Sequence, residues 1–166
     1  QGGAVFFQES HTWLLLGGEG LGPNGVAEAL HELGPSVQLT NFLWLTRNRV
    51  AVELSGPVDL ILRAPKHLLA LPAVTAYWPA ALRGTGVGFF DDQLTVHAKP
   101  EVDRQALAKL GITLERPIID GRTWIARASS GDAVRAAWLA TGVTGVIWAE
   151  PDLIRAVKLN ALPNDR

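Results

Sequence analysis

Apolar and polar residues in the first half of the chain follow an order typical of a small α+β domain. An apolar run closed by two glycines predicts a buried strand at Thr12–Leu16. Helical spacing of apolar residues predicts a helix at Val26–Leu33, which ends at a Gly-Pro pair. Val37–Leu45 and Arg49–Leu54 alternate in polarity and contain β-forming residues, so they predict two strands joined by a turn.

The next segment has helical length but contains a proline. Since a proline costs little in the first turn of a helix, we expect the helix to begin near Pro65 and to stop at Pro72. Ala73–Trp78 returns to strand character. The predicted order of the first half is therefore β-α-β-β-α-β, and the glycine-rich segment Arg83–Gly88 is predicted to be a linker.

The second half repeats this order. The predicted strands are Leu94–Ala98, Ile112–Ile119, Thr123–Ala128 and Val143–Trp148, and the predicted helices are Asp103–Leu110 and Ser130–Ala140. Asp120-Gly121 predicts a two-residue hairpin turn. Ser130 is the expected N-cap of the last helix, with Asp132 in its first turn.

The repeat predicts an α+β protein of two tandem ferredoxin-like (βαββαβ) sandwiches, each with an antiparallel four-stranded sheet. We expect an N-terminal domain at residues 1–85 and a second domain, with an extended C-terminal tail, at residues 86–166.

Composition excludes several function classes. The 166 residues are 48% hydrophobic, which is enough for a real core. Without cysteine the chain has no disulfide, thiolate metal site or cysteine nucleophile. Lys and Arg number 15 against 16 Asp and Glu, so we expect neither nucleic acid nor a membrane surface as a partner.

Motifs for cofactor or metal binding are weak. Gly20–Gly25 matches G-x-G-x-x-G, but no acidic residue closes the following strand, so a plain loop is the better interpretation. The four histidines lie in four different predicted elements without metal-ligand spacing. No G-x-S-x-G nucleophile elbow occurs. We therefore predict no cofactor and no metal, whereas a Ser-His-Asp triad stays open from the residues alone, because its order along the chain varies between folds.

The C-terminal segment carries the most specific pattern. Val146 is followed by Ala149-Glu150-Pro151-Asp152, and Pro163-Asn164-Asp165 comes shortly after. This order resembles the end of the propeptide of bacterial subtilisin-like serine proteases. The resemblance covers about 91–160, with further matches at Lys99–Asp103 and Ser130–Ala133, whereas the first half resembles only the N-terminal extension of some larger members.

The resemblance implies a non-catalytic chain that acts as intramolecular chaperone and autoinhibitor of a subtilisin-like catalytic domain in the same precursor. Glu150 and Asp152 would cap two surface helices of the protease. The residues that would enter its cleft are Arg155, Ala156, Val157, Lys158, Leu159 and Asn160. The junction for autoprocessing would lie among Lys158, Asn160, Pro163, Asn164 and Asp165. Such a zymogen would be secreted, or lie in the periplasm or cell envelope of a bacterium, although the sequence alone leaves a cytoplasmic location open.

Two other interpretations stay open from the residues alone. One is a tandem ferredoxin-like regulatory module that binds a small ligand or dimerises through its sheets, with Glu150 and Asp152 as solvated edge charges. A weaker one is an enzyme that uses the loop Gly20–Gly25.

Overall fold

The computed structural model describes residues 7–84, 86–118 and 120–155. In that part of the chain, eight strands and four helices form an α+β fold whose strands make one antiparallel sheet. The strands are β1 (Gln8–Gly17), β2 (Gln38–Thr46), β3 (Arg49–Ser55), β4 (Ala76–Arg83), β5 (Gly86–Ala98), β6 (Ile112–Ile118), β7 (Thr123–Ala128) and β8 (Val146–Arg155). The helices are α1 (Pro23–Leu33), α2 (Val58–Leu68), α3 (Arg104–Lys109) and α4 (Ala133–Ala140).

The described residues up to Phe89, together with Arg155, form one compact unit, and Phe90–Ile154 form another. In the first unit the strand order is β2-β3-β1-β4. One face of this sheet packs against α1 and α2 through buried aliphatic residues. They include Leu14, Leu16, Val26, Leu30, Val50, Val52, Ile61 and Leu68. Leu14 and Leu16 of β1 and Val50 and Val52 of β3 share one face of the sheet, because side chains alternate along a strand.

The second helix corrects the sequence prediction. The helix predicted to begin near Pro65 and to end at Pro72 instead spans Val58–Leu68, with Pro65 in its interior. An interior proline removes one helical hydrogen bond and crowds the preceding turn, at a cost of about 3 kcal/mol. Ile61 and Leu68 are buried together with Pro65, so burial of the apolar helix face offsets that cost.

The segment predicted as a linker, Arg83–Gly88, is instead a β-hairpin. Arg83 pairs with Gly86, and Ala81 pairs with Gly88. Gly84 has a φ of 59°, in the left-handed region that a tight turn requires and that glycine adopts without strain. The division between the two compact units therefore falls inside β5, after Phe89, rather than in a flexible connection.

In the second unit, β6 pairs with β7, β7 pairs with β5, and β5 pairs with β8. Helices α3 and α4 cover one face of these strands through a second aliphatic core. Its buried residues include Leu94, Val96, Leu107, Ile112, Ala126, Ala133, Ala136 and Ala140. The alanines of α4 allow this helix to approach the sheet closely, because each presents only a methyl group.

The start of α4 also differs from the prediction. The expected N-cap, Ser130, lies outside the helix, which spans Ala133–Ala140. Asp132 is the N-cap, and its side chain accepts a hydrogen bond from the backbone N–H of Arg135 at 3.0 Å. Gly131 has a φ of 82°, which interrupts helical geometry between Ser130 and Asp132.

The connection between β6 and β7 is longer than the predicted two-residue turn at Asp120-Gly121. Ile118 pairs with Thr123, so the loop begins before Asp120 and ends after Gly121. Asp120 accepts hydrogen bonds from the N–H groups of Arg122 (2.9 Å) and Thr123 (3.0 Å). This Asx turn stabilises the loop by satisfying two backbone donors.

The last strand continues well beyond its predicted end. The sequence predicts a strand at Val143–Trp148 followed by a tail, whereas β8 spans Val146–Arg155 and includes Glu150-Pro151-Asp152. Proline cannot donate a ladder hydrogen bond and is confined to edge strands or bulges. Pairing of β8 with β5 alone, among the described strands, accommodates Pro151.

Candidate docking face on the second unit

The second unit has two chemically different sheet faces. Alternate residues of β5, namely Leu94 and Val96, are fully buried against the helices. The residues between and beside them, Gln93, Thr95 and His97, point to the opposite face because side chains alternate along a strand. We call this opposite side the outer face, and it is polar and half-buried where β5 crosses it.

Strand β8 contributes an aromatic residue to the outer face. The ring of Trp148 stacks on the imidazole of His97, with centroids 5.4 Å apart and an interplanar angle of 13°. The Nδ1 atom of His97 and the Oγ1 atom of Thr123 lie 2.8 Å apart in a hydrogen bond. The imidazole is therefore oriented from two sides, and Trp148 is held over it while 40% of its surface remains exposed.

Asp152 is an acidic group on this face whose two carboxylate oxygens are both hydrogen-bonded. Its Oδ1 atom accepts a hydrogen bond from the Thr95 hydroxyl at 2.6 Å, and its Oδ2 atom accepts one from the Gln93 side-chain amide at 2.7 Å. Both donors come from β5, so the carboxylate lies across the neighbouring strand. Hydrogen bonds to a charged acceptor are about twice as strong as neutral ones, which makes this a well-defined position.

Glu150 lies between Trp148 and Asp152 on β8 and is exposed. Residues two apart on an extended strand share a face, so the backbone directs Glu150 to the outer face together with its neighbours. The two predicted capping residues therefore lie on the face that carries Gln93, Thr95 and His97. Whether they cap helices of a partner stays a prediction.

An ionic cluster lies on the neighbouring strands. The Arg127 guanidinium contacts Asp92 at 2.7 Å and Glu115 at 3.2 Å. Partial burial acts to lower the pKa of Arg127, but the hydrogen bonds and negative charges of Asp92 and Glu115 outweigh it and raise that pKa above its ordinary value. The cluster ties β5, β6 and β7 together across the outer face.

The predicted cleft-binding and junction residues are described only in part. Arg155 is exposed and ends β8. The remaining predicted residues lie outside the described residues. They are Ala156, Val157, Lys158, Leu159, Asn160, Pro163, Asn164 and Asp165.

The four histidines lie in four different strands and helices. His11 lies in β1, His31 in α1, His67 in α2 and His97 in β5. Among the residues described, no three His, Cys, Asp or Glu side chains group as a metal site. The same part of the chain contains no helix with the length and apolar character needed to span a bilayer.

Gly20–Gly25 leads into the N-terminus of α1, where no side chain caps the helix. Gly20 has a φ of 75°, and a side chain there would meet nothing within 4 Å. Gly20 therefore provides backbone freedom for a turn.

Sequence reasoning missed the partners of Asp152. Gln93, Thr95 and His97 belong to a strand identified from its apolar residues, and their role depends on which strand lies beside β5. The alternation of Gln93, Thr95 and His97 with Leu94 and Val96 was the one available signal, because it marks a polar row on one sheet face.

Comparisons of this chain with known protein families, with curated proteins and with solved structures find no match.

Proposed function

We propose that this chain is the propeptide region of a subtilisin-like serine protease, which assists folding of the catalytic domain and then inhibits it. In this proposal each half is a ferredoxin-like sandwich, and the second half is the inhibitory domain. The strand orders β2-β3-β1-β4 and β6-β7-β5-β8 support it, because both are the order of a split βαβ unit.

The observation that carries the proposal is the place of Glu150-Pro151-Asp152 in β8. The motif is part of a sheet strand, and its two acidic residues lie on the outer face rather than against the helices. A carboxylate on such a face accepts the free N–H groups of a helix N-terminus and opposes the helix dipole. Two carboxylates on one face suit two neighbouring parallel helices on a partner surface.

The end of β8 supports the second part of the proposal. Arg155 closes a ten-residue strand that is extended throughout. A continuing extended segment adds to the edge of an enzyme's substrate cleft, where backbone hydrogen bonds supply affinity and alternate side chains supply specificity. Inhibition then follows from occupation of the cleft by a segment that remains attached to a docked domain.

The chaperone role follows from folding kinetics. Parallel sheets fold slowly because their contacts are non-local. A preformed sheet that binds only the native-like arrangement of two surface helices stabilises that arrangement by mass action. The chain itself has no catalytic role in this proposal, and its location would be that of a secreted or cell-envelope protease.

An inhibition assay tests the proposal. The purified chain is mixed with a panel of subtilisin-like proteases, with chymotrypsin as an unrelated control, and residual activity is measured. We expect inhibition of at least one subtilisin-like enzyme with an inhibition constant in the nanomolar range, since interfaces of about 1,600 Å² commonly reach such affinity. If the chain inhibits none of the subtilisin-like enzymes in the panel, the proposal is contradicted.

The capping contact is tested in the same assay. Replacing Glu150 and Asp152 together by alanine should weaken inhibition by about 1–2 kcal/mol, because two caps are lost. The double variant Glu32→Ala/Glu28→Ala, on helix α1 of the other unit, is the control for loss of two negative charges. Equal inhibition by the capping variant and the wild type removes the capping argument.

A further inference from the structure

Asp152 and Glu150 share the outer face but are held differently. Each oxygen of the Asp152 carboxylate accepts one hydrogen bond from β5, whereas Glu150 is exposed and has no hydrogen bond or ion pair within the described part of the chain. One acidic group is therefore ordered before any partner arrives, and the other is free to adjust.

The spacing of Thr95 and Gln93 lets each of them bond one oxygen of the Asp152 carboxylate. Thr95 and Gln93 are two positions apart on β5, so their side chains project from the same face. Thr95 donates to Oδ1 and Gln93 donates to Oδ2. Rotation of the carboxylate would break at least one of these short, charge-assisted bonds.

The held carboxylate retains capacity for a partner. An ionised carboxylate has about four lone-pair sites, and the two donors from β5 use two of them. One acceptor site remains on each oxygen. Because the side chain is already ordered, contact with a partner's N–H groups costs little further conformational entropy, whereas Glu150 must first be immobilised.

We infer that Thr95 and Gln93 are positioning residues that hold Asp152 ready for the N–H groups of the partner. Asp152 is then the pre-ordered contact and Glu150 the adaptable one. The inference rests on the proposed function, and it assigns roles to two residues of β5 that the C-terminal motif does not include.

The test compares variants that differ by single groups. Thr95→Val removes the hydroxyl but keeps the shape of the side chain, and Thr95→Ser keeps the hydroxyl. Thr141→Val removes a hydroxyl that bonds the Trp138 carbonyl at the end of α4, away from the outer face. Inhibition constants are measured against a subtilisin-like protease that the wild-type chain inhibits.

We expect Thr95→Val to raise the inhibition constant by up to about tenfold, because an Asp152 side chain that is no longer held must be immobilised when the partner binds. Thr95→Ser should stay within about twofold of the wild type, because it preserves that bond. Thr141→Val should not change inhibition. In an Asp152→Ala background Thr95→Val should have no further effect, since a positioning residue acts only through the group it positions.

A second readout needs no protease. Side-chain scalar couplings measured by NMR should show one χ1 rotamer for Asp152 in the wild type and averaging among rotamers in Thr95→Val. If Asp152 averages among rotamers in the wild type, or if Thr95→Val has the same effect with and without Asp152, the positioning role is overturned. The proposed function is not affected by either result. Absence of inhibition by the wild type overturns the proposed function, and the inference falls with it.

Discussion

The imidazole of His97 and the indole of Trp148 stack almost in parallel, with ring centroids 5.4 Å apart, and join β5 to the last strand. Their contact lies on the same face as the hydrogen bonds from β5 to Asp152. The last strand is therefore attached to its neighbour by side chains at two points, in addition to backbone pairing.

Removing the Trp148 ring should destabilise the second unit. Trp148→Ala loses the stacking on His97 and the buried surface of a ring whose residue is 40% exposed, so we expect the free energy of unfolding to fall by about 1–2 kcal/mol. Trp138→Ala is the matched control, because Trp138 is 73% exposed on α4 and should change that free energy by less than about 0.5 kcal/mol. Urea unfolding of both variants decides the matter, and equal effects would argue against the stack.

The N-cap assignment makes a second prediction. Asp132→Ala should lower the free energy of unfolding by about 1 kcal/mol, because the N–H of Arg135 loses its acceptor. Ser130→Ala should cost less, since Ser130 lies outside the helix and accepts only the N–H of Asp132 at 3.2 Å. Thermal unfolding measures both. A larger effect of Ser130→Ala would restore Ser130 as the cap.

The loop between β6 and β7 should respond to acid. The N–H of Arg122 lowers the pKa of Asp120 below its ordinary value of 3.8, assisted by Thr123 and opposed by desolvation. A carboxyl whose folded pKa is depressed contributes stability that is present above its unfolded pKa and is lost as the pH falls through the folded pKa. We expect the NMR titration of the Asp120 carboxyl to have its midpoint below 3.8.

Amide hydrogen exchange provides a check on this titration. Below that midpoint, the protection factors of the Arg122 and Thr123 amides against hydrogen exchange should fall, because a neutral carboxyl is a weaker acceptor. Asp120→Asn should remove the pH dependence of these two protection factors. A midpoint at or above 3.8 would show that the two backbone hydrogen bonds do not favour the charged form.

Processing provides a prediction about the C-terminal segment. If the segment after Asp152 lies in a protease cleft, the cut follows Lys158, or Asn160 if the junction is counted back from Pro163-Asn164-Asp165. Mass spectrometry of the mature protease should then find an N-terminus at Leu159 or Ala161. A start beyond Arg166 would contradict this placement of the cleft-binding segment.

The order and type of the elements follow from the sequence by itself. Helical and strand periodicity are local properties, so the positions of β2, β3, α1 and β7 agree with their predictions within a few residues. The turn residue Gly111, with a φ of 77°, ends the predicted helix at α3 as expected. The antiparallel α+β class rests on this local information, because two β-α-β-β-α-β runs favour hairpins and helix crossovers.

Tertiary structure decided where local rules conflict. Pro65 lies inside α2 because burial of Ile61 and Leu68 outweighs the missing hydrogen bond. The segment Arg83–Gly88 pairs as a hairpin whose arms belong to β4 and β5, and these strands also pair with β1 and β7. A local sequence pattern does not include the free energy gained by burying a helix face or by pairing with a distant strand. It therefore reports only the intrinsic preferences of proline and glycine.

In the candidate site, too, some residues were predictable from the sequence and others depend on the tertiary structure. The sequence by itself singled out Glu150 and Asp152, because they belong to the local pattern Ala149-Glu150-Pro151-Asp152. Only the tertiary structure brings Thr95 and Gln93 to Asp152, across 57 and 59 positions of the chain. The physical reason is that hydrogen bonds across a sheet depend on strand order and register, which are determined by burial of the whole core rather than by neighbouring residues.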